Sequence, residues 1–196
     1  MPTTRLEQQM QFIREIDDLK SIERRTILRN NPRWENSAEH SWHVAISVWL
    51  LAEHSNDPID RDKVIKMMLI HDIVEIDAGD TFVYDNSGMA EKEAKELAAA
   101  ERLFNILPQD QATELRKIWD EFEAGETAEA KFAGSVDRLL PVTHNHDTGG
   151  KSWVDHNVTK SQVIERNQTI NDGSNRLWHF AKGLIDNTAK KVGLRD

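Results

Sequence analysis

Apolar side chains recur at spacings of three and four residues along most of the chain, which is the pattern of helices that bury one face. Six predicted helix starts carry a residue whose side chain can accept hydrogen bonds from free backbone amides: Thr4, Asn36, Asp60, Thr127, Thr159 and Ser174. Residues 90–104 add a run rich in Ala, Glu and Lys, which are strong helix formers. No stretch shows sustained alternation of apolar and polar residues, so we predict an all-α bundle of about six to eight helices.

Proline and glycine mark several predicted helix ends. Pro108 suits the first turn of a helix, whereas Pro141 should end or kink the helix that contains it. The last helix should stop near Gly193. No linker rich in Gly, Pro or Ser divides the chain. We therefore expect residues 1–196 to form a single domain, with helices over residues 159–192 completing the bundle.

The composition narrows the classes of protein to consider. The chain has 196 residues with 25 basic and 34 acidic side chains, which gives a formal net charge of −9. A protein that binds nucleic acid polymers needs a positive surface, so this class is excluded, although a few local arginines can still hold a small anionic substrate. The chain contains no cysteine, which excludes disulfides, thiolate metal sites and a cysteine nucleophile.

The sequence gives no sign of membrane insertion or secretion. No apolar run approaches the roughly 18 residues of a membrane span, and the N-terminal residues lack the apolar segment of a secretory signal. The lack of cysteine fits a reducing compartment. We therefore expect a cytoplasmic protein that does not contact a membrane.

Histidine and carboxylate side chains concentrate at three places. His40 lies near the start of a predicted helix, and Asp137 interrupts an apolar helix face. His71 and Asp72 follow four apolar residues and precede Glu75. Burying an unpaired carboxylate costs several kcal/mol, and a divalent cation would compensate because imidazole and carboxylate both bind Mn²⁺, Fe²⁺, Co²⁺ or Zn²⁺. Taken singly, each place also fits a histidine at a helix end, solvent-facing acids or an ordinary salt bridge.

The order His, then His-Asp, then Asp along predicted helices resembles the HD superfamily of metal-dependent phosphohydrolases. The likeness covers roughly residues 5–140. Residues 36–41 resemble the segment around the first ligand in the bacterial 5′-deoxynucleotidase branch, and residues 71–80 carry that branch's His-Asp-x-x-Glu-x-x-x-Gly-Asp signature. The resemblance implies an HD-domain helical bundle whose metal-binding core spans about residues 20–140, and it implies a homodimer.

The same resemblance assigns roles to particular residues. It implies that His40, His71, Asp72 and Asp137 bind one divalent metal ion, which could be Mn, Co, Fe, Zn, Ni or Mg. It also implies that Glu75 and Asp80 serve catalysis, with Asp80 in addition contacting the substrate. The implied reaction is hydrolysis of a phosphomonoester, and most specifically of a (deoxy)nucleoside 5′-monophosphate to nucleoside and phosphate.

A group of four arginines lies between residues 24 and 33, ahead of the first ligand. Guanidinium groups suit phosphate recognition. In the deoxynucleotidase branch an Arg-Trp pair contributes to nucleotide recognition at this place. Arg25 matches the arginine, so we predict that it binds substrate, but Thr26 stands where the tryptophan is expected. This departure leaves the preference for 2′-deoxy sugars open.

Three alternatives remain open. A phosphodiesterase or pyrophosphohydrolase of the alarmone type usually has Glu-Asp directly after His-Asp-x-x, where this chain has Glu75 and Ile76. A two-iron oxygenase of the same superfamily needs further histidines between Asp80 and Asp137, and the sequence has none there. The third alternative is a non-catalytic helical binding module with a vestigial metal site, although all six metal and catalytic positions hold competent residues.

Several other histidines have no clear place in this scheme. We expect His43, three residues after the first ligand, to belong to the core or to support the metal site. A further group, which includes His144, His146, Asp147 and His156, could form a second metal site. We favour a solvated loop for this group, because it follows a proline and surrounds a pair of glycines.

Overall fold

The structure is a computed structural model that describes residues 3–31, 33–80 and 89–196. Its helices are α1 (Arg5–Glu15), α2 (Ser37–Leu51), α3 (Arg61–Ile70), α4 (Glu75–Ala78), α5 (Met89–Phe104), α6 (Gln109–Ala124), α7 (Ala128–Asp147), α8 (Lys151–Asp155), α9 (Lys160–Asn167), α10 (Ile170–Gly173) and α11 (Asn175–Val192). Short 3₁₀ segments cover Ile16–Ser21, Ala52–His54 and His71–Val74. Within the described ranges eight of the α-helices have eight or more residues, and the predicted all-α bundle is confirmed.

Six helices begin at the capping residues that the sequence predicted for them. Thr4, Asn36 and Thr159 each form a reciprocal capping box with the residue three positions later. Asp60, Thr127 and Ser174 accept hydrogen bonds from amides of the first turn, as predicted. Pro108 occupies the N-cap position of α6, one residue ahead of the first turn in which it was predicted. Gly193 ends α11 in the left-handed conformation, with φ of 68°.

A two-stranded antiparallel hairpin was missed by the sequence analysis. Strand β1 (Glu23–Ile27) pairs with β2 (Trp34–Asn36), so that Glu23 faces Asn36 and Ile27 faces Trp34. The inward positions of β1 carry Arg24 and Thr26 in place of apolar residues. Inward and outward residues therefore alternate along β1, but apolar and polar residues do not, and only the latter pattern reveals a strand in a sequence.

Pro141 does not end its helix, contrary to one of the two outcomes predicted for it. Helix α7 continues through Pro141 to Asp147 and is buried on both sides of the proline, at Leu140 and Val142 among others. Proline removes one hydrogen bond from a helix, and packing against α2, α3, α10 and α11 offsets that loss. The predicted solvated loop is therefore also wrong for His144, His146 and Asp147, which are helical, and His144 is buried.

Two apolar clusters form the core. The first joins α2, α3, α7 and the C-terminal helices through residues such as Val44, Met67, Phe132 and Ile185. The second joins α1, α5 and α6 through residues that include Phe12, Leu103 and Trp119. Each large side chain fully buried here contributes about 1.5–3 kcal/mol of transfer free energy. The chain passes from the first cluster to the second at the 3₁₀ segment His71–Val74, which is thereby fixed between them.

None of the helices over the described residues combines the length and the apolar character that crossing a lipid bilayer requires.

Candidate metal centre

Three elements bring the predicted metal ligands together. His40 lies in the first turn of α2, just after the Asn36 cap. His71 and Asp72 open the 3₁₀ segment that follows α3, and Asp137 lies in the middle of α7. His40, His71 and Asp72 are buried, so their polar atoms face one another and not the solvent.

The distances between these side chains are those of a single polar cluster. His40 Nε2 lies 2.8 Å from Asp137 Oδ1, and His71 Nε2 lies 3.6 Å from the same oxygen. Asp72 Oδ1 is 3.1 Å from His71 Nε2. One ligand atom each from His40, His71 and Asp72 lies within 4.8 Å of the others. Two imidazoles and two carboxylates therefore share one small volume.

Contacts at the far ring nitrogen of each imidazole, a hydrogen bond for His71 and a nearby carboxylate for His40, orient the ligand nitrogens. His71 Nδ1 lies 2.9 Å from the Met68 carbonyl oxygen and can donate to it, which directs Nε2 into the cluster. His71 Nε2 is buried and makes no hydrogen bond. His40 Nδ1 faces Glu35 Oε2 at 3.3 Å. A buried nitrogen lone pair without a donor, beside carboxylates, is what a cation ligand requires, so these residues fit a divalent metal ion.

Without a cation, protons take its place in the cluster. Burial and Arg24 oppose a charged His40, but Asp137 and Glu35 outweigh them and raise the pKa of His40 to about 9. The pKa of His71 is also raised: burial opposes this, but Asp72 and Asp137 prevail. Burial alone would raise the pKa of Asp137, yet its hydrogen bond with His40 and its close contact with His71 hold that pKa well below the usual range. The site therefore favours protonated histidines when no metal is bound, and a metal ion would displace those protons.

The two predicted catalytic carboxylates lie beside this cluster. The Ser37 hydroxyl donates a hydrogen bond to Glu75 Oε2 at 2.6 Å. Burial and the nearby Asp72 raise the pKa of Glu75 to about 8. Burial likewise raises the pKa of Asp80. Glu75 is therefore poised to hold or pass a proton near neutral pH.

The cation at the centre of these acids is Arg24, which the sequence analysis did not single out. Arg24 Nη1 lies 2.7 Å from Asp72 Oδ2, 4.0 Å from Glu75 Oε1 and 3.9 Å from Asp80 Oδ1. Its side chain is only 14% exposed. Arg25 lines the same cavity, but its neighbouring position on β1 leaves it exposed. The two-residue period of a strand explains why one arginine faces inward and the next outward.

A cavity of about 320 Å³ opens onto the cluster. It is lined by His71, Asp72, Glu75, Asp80 and Asp137, by the cations Arg24, Arg25, Lys92 and Arg138, and by aromatic and small side chains that include Phe122, Trp153 and Thr26. This volume lies within the range of small-molecule sites. The mixture of cations and apolar groups suits a small anion with an apolar portion.

Glu35 is a second residue that the sequence did not reveal. Its side chain is 2% exposed, and its carboxylate meets both His40 and Arg24, the latter at 3.8 Å. Burial raises its pKa, but the close contact with His40 and the nearby charges bring that pKa below the ordinary value. A carboxylate behind a ligating histidine orients the ring and strengthens its ligand nitrogen.

The fold and the cluster agree with a comparison to known families. Residues 16–178 match the family model of the HD domain, and the chain therefore belongs to the HD domain family. The resemblance that the motifs indicated is confirmed.

Named relatives lie within the same family. The chain is 31% identical over 130 residues to the human 5′-deoxynucleotidase HDDC2, and 33% identical over 130 residues to its Xenopus laevis counterpart. These alignments cover 66% of this chain and 62% and 63% of the two relatives. The chain thus matches less than two thirds of the length of these curated relatives.

Solved structures show the same architecture. A predicted metal-dependent phosphohydrolase from Magnetospirillum magnetotacticum MS-1 is 47% identical, with a TM-score of 0.94 and coverage of 100% of this chain and 98% of the other. A conserved hypothetical protein from Pyrococcus furiosus is 22% identical, with a TM-score of 0.61 over 92% of this chain and 99% of the other. The second likeness shows the fold alone.

Proposed function

We propose that this protein is a metal-dependent phosphohydrolase that cleaves the phosphomonoester of a (deoxy)nucleoside 5′-monophosphate. The observation that carries the proposal is the convergence of His40, His71, Asp72 and Asp137 beside a cavity that also holds Arg24. The relatives named 5′-deoxynucleotidase and the similar predicted phosphohydrolase support the same reaction class.

The four clustered side chains would hold one divalent ion. When bound there, such an ion lowers the pKa of a water ligand and polarises a phosphoryl oxygen. The nitrogen and oxygen donors admit Mn, Co, Fe, Zn, Ni or Mg, and availability selects among them.

The chain's own cations would position the substrate phosphate. Arg24 lies beside Asp72, and Lys92 lines another part of the cavity from α5. Arg25, at the exposed edge, remains our proposal for a substrate contact. Charged donors bind phosphate oxygens strongly in a site shielded from water. The apolar surfaces of Phe122 and Trp153 would accept the base or sugar.

Glu75 and Asp80 would carry the proton that hydrolysis moves. A bond forms between a water oxygen and phosphorus, the bond from phosphorus to the ester oxygen breaks, and a proton passes from the water to the leaving oxygen. Glu75 lines the cavity, and Ser37 fixes its carboxyl group by a hydrogen bond. Asp80 lines the same cavity and would also contact the substrate. General acid–base groups of this kind contribute about 10²–10⁴ in rate.

Phosphate release from a panel of substrates tests this function. The panel holds ribo- and deoxynucleoside 5′-monophosphates, a nucleotide with a pyrophosphate group and a cyclic dinucleotide, each with Mn²⁺ or Co²⁺ added. We expect metal-dependent turnover of monophosphates that Asp72→Ala abolishes. Turnover of the pyrophosphate or cyclic compounds alone would favour the phosphodiesterase or pyrophosphohydrolase alternative, and no turnover at all would favour a binding module.

We also propose a homodimer, a single domain over residues 1–196 and a cytoplasmic location. The dimer is supported by an exposed apolar face on α2, formed by Trp42, Ile46, Trp49 and Leu50. Such a face on a helix is typical of a protein–protein contact.

A further inference from the structure

A second group of side chains with possible metal ligands begins at Glu35, which faces the other ring nitrogen of His40. Glu35 comes from β2, His43 from α2 and His144 from α7. One ligand atom from each lies within 4.8 Å of the others, and the two imidazole centroids are 5.6 Å apart. Ligand atoms about 2.1 Å from one tetrahedral ion lie about 3.4 Å apart, so side-chain rotations that move these atoms by about 1 Å would close this group around an ion.

Two atoms of this group are buried without a hydrogen bond. They are Glu35 Oε2 and His144 Nδ1. Buried polar atoms are almost always paired, and each exception calls for a physical explanation. Glu35 has one explanation already, because its Oε2 lies 3.3 Å from His40 Nδ1 and can orient that ring. The same role does not explain why His144 Nδ1 is buried without a hydrogen bond.

The donor set matches the chemistry of a transition-metal ion. Two imidazoles and one carboxylate form a common ligand set of zinc, with a remaining position for water. The buried Nδ1 of His144 makes no hydrogen bond, so its lone pair is available to a metal ion. His43 is only partly buried, which provides a path of entry for an ion.

We propose that Glu35, His43 and His144 bind a second transition-metal ion of the Zn²⁺ or Co²⁺ type. Because Glu35 also contacts His40, an ion at this second site fixes the carboxylate behind a ligand of the first site. Loss of the second ion should therefore weaken metal binding at the first site by about 10–100-fold, as for other groups behind metal ligands.

The test counts metal ions bound to the full-length protein. Chelator-treated protein is dialysed against Zn²⁺ or Co²⁺ alone, and bound metal is measured by mass spectrometry, with the visible absorption of Co²⁺ as a second readout. We expect about two ions per chain, falling to about one in His144→Gln and in His43→Gln. His71→Ala should also retain about one ion, held at the second site. His179→Gln, which removes an exposed imidazole on α11, serves as the matched control and should keep both ions.

Each outcome decides the proposal without any measurement of turnover. The proposal would be overturned if the wild type binds one ion, His71→Ala loses that ion and His144→Gln keeps it. Two ions that persist in both His144→Gln and His43→Gln would also overturn it, because the second ion would then lie elsewhere. If circular dichroism shows that His144→Gln does not fold, the metal content of the partly exposed His43→Gln decides the question. A protein that binds two ions but hydrolyses none of the nucleotides would support the second site and count against the proposed function.

Discussion

Replacing Arg24 by glutamine should destabilise the metal-free protein strongly, because this guanidinium is the cation nearest to several buried acids. Arg24 lies 2.7 Å from Asp72 and within 4.0 Å of Glu75, Asp80 and Glu35. The side chains of Arg24 and Asp72 are 14% and 10% exposed. Removing one partner of a buried ion pair costs about 3–5 kcal/mol, since the other charge is left uncompensated. For a domain of this size each kcal/mol lowers Tm by about 2–4 °C.

The neighbouring arginine supplies a matched control. Arg25→Gln changes the same side chain one residue along the same strand, on its exposed face. Exposed substitutions usually change stability by less than about 0.5 kcal/mol. Urea unfolding of both variants at pH 8 with a chelator gives the free energies of unfolding, and repeating it with Mn²⁺ should recover part of the Arg24→Gln loss, because the added cation offsets the same acids.

A small difference between the two variants would refute this reasoning. If Arg24→Gln lowers the free energy of unfolding by less than about 1 kcal/mol, the acids are compensated in another way, by protonation or by water. If both variants lose stability equally, the inward and outward assignment of the two arginines on β1 is wrong.

Three further outcomes follow from the structure. Metal binding at pH 7 should release about one proton or more per ion, because the pKa of His40 is raised to about 9 without metal and a metal-bound imidazole must be neutral. The affinity for metal should therefore rise with pH up to about 9. Calorimetry in buffers of different ionisation enthalpy measures the number of protons released. Glu75→Gln should keep its metal content but lose about 10²–10⁴ of kcat, whereas Glu126→Gln, an exposed change, should lose nothing; an active Glu75→Gln enzyme would contradict the proton-transfer role. Trp49→Glu should convert a dimer to a monomer in light scattering, while Phe180→Glu on α11 should not, and a wild-type monomer would remove the dimer proposal.

Local rules were sufficient to predict the helices, whereas the set of four candidate ligands came from the resemblance to a known superfamily. Capping residues such as Thr4 and Asn36 act on amides within three residues, so their effect is readable without the fold. Asp137 could be singled out from the sequence because an acid in an apolar helix face is costly unless it has a partner across the bundle, but its partners were named only through the resemblance.

Features that depend on contacts between distant segments were not predictable. Pro141 stays helical because α7 is packed between other helices, and this continuity carries His144 to Glu35 and His43. Arg24 and Arg25 are alike in sequence and differ only in which face of β1 they occupy. Choosing between them required the strand, and the strand carries no apolar pattern of its own.

The structure also gives a physical reason for the spacing His-Asp-x-x-Glu-x-x-x-Gly-Asp. A 3₁₀ segment has three residues per turn, so Asp72 and Glu75 lie in one row, and both carboxylates reach Arg24. Gly79 then ends α4 with φ of 77°, a backbone conformation that residues other than glycine rarely adopt. This turn brings Asp80 back to within 3.9 Å of the same guanidinium. The signature therefore encodes a turn geometry that directs three acids toward the buried guanidinium of Arg24. His71, the first residue of the signature, points into the candidate metal site.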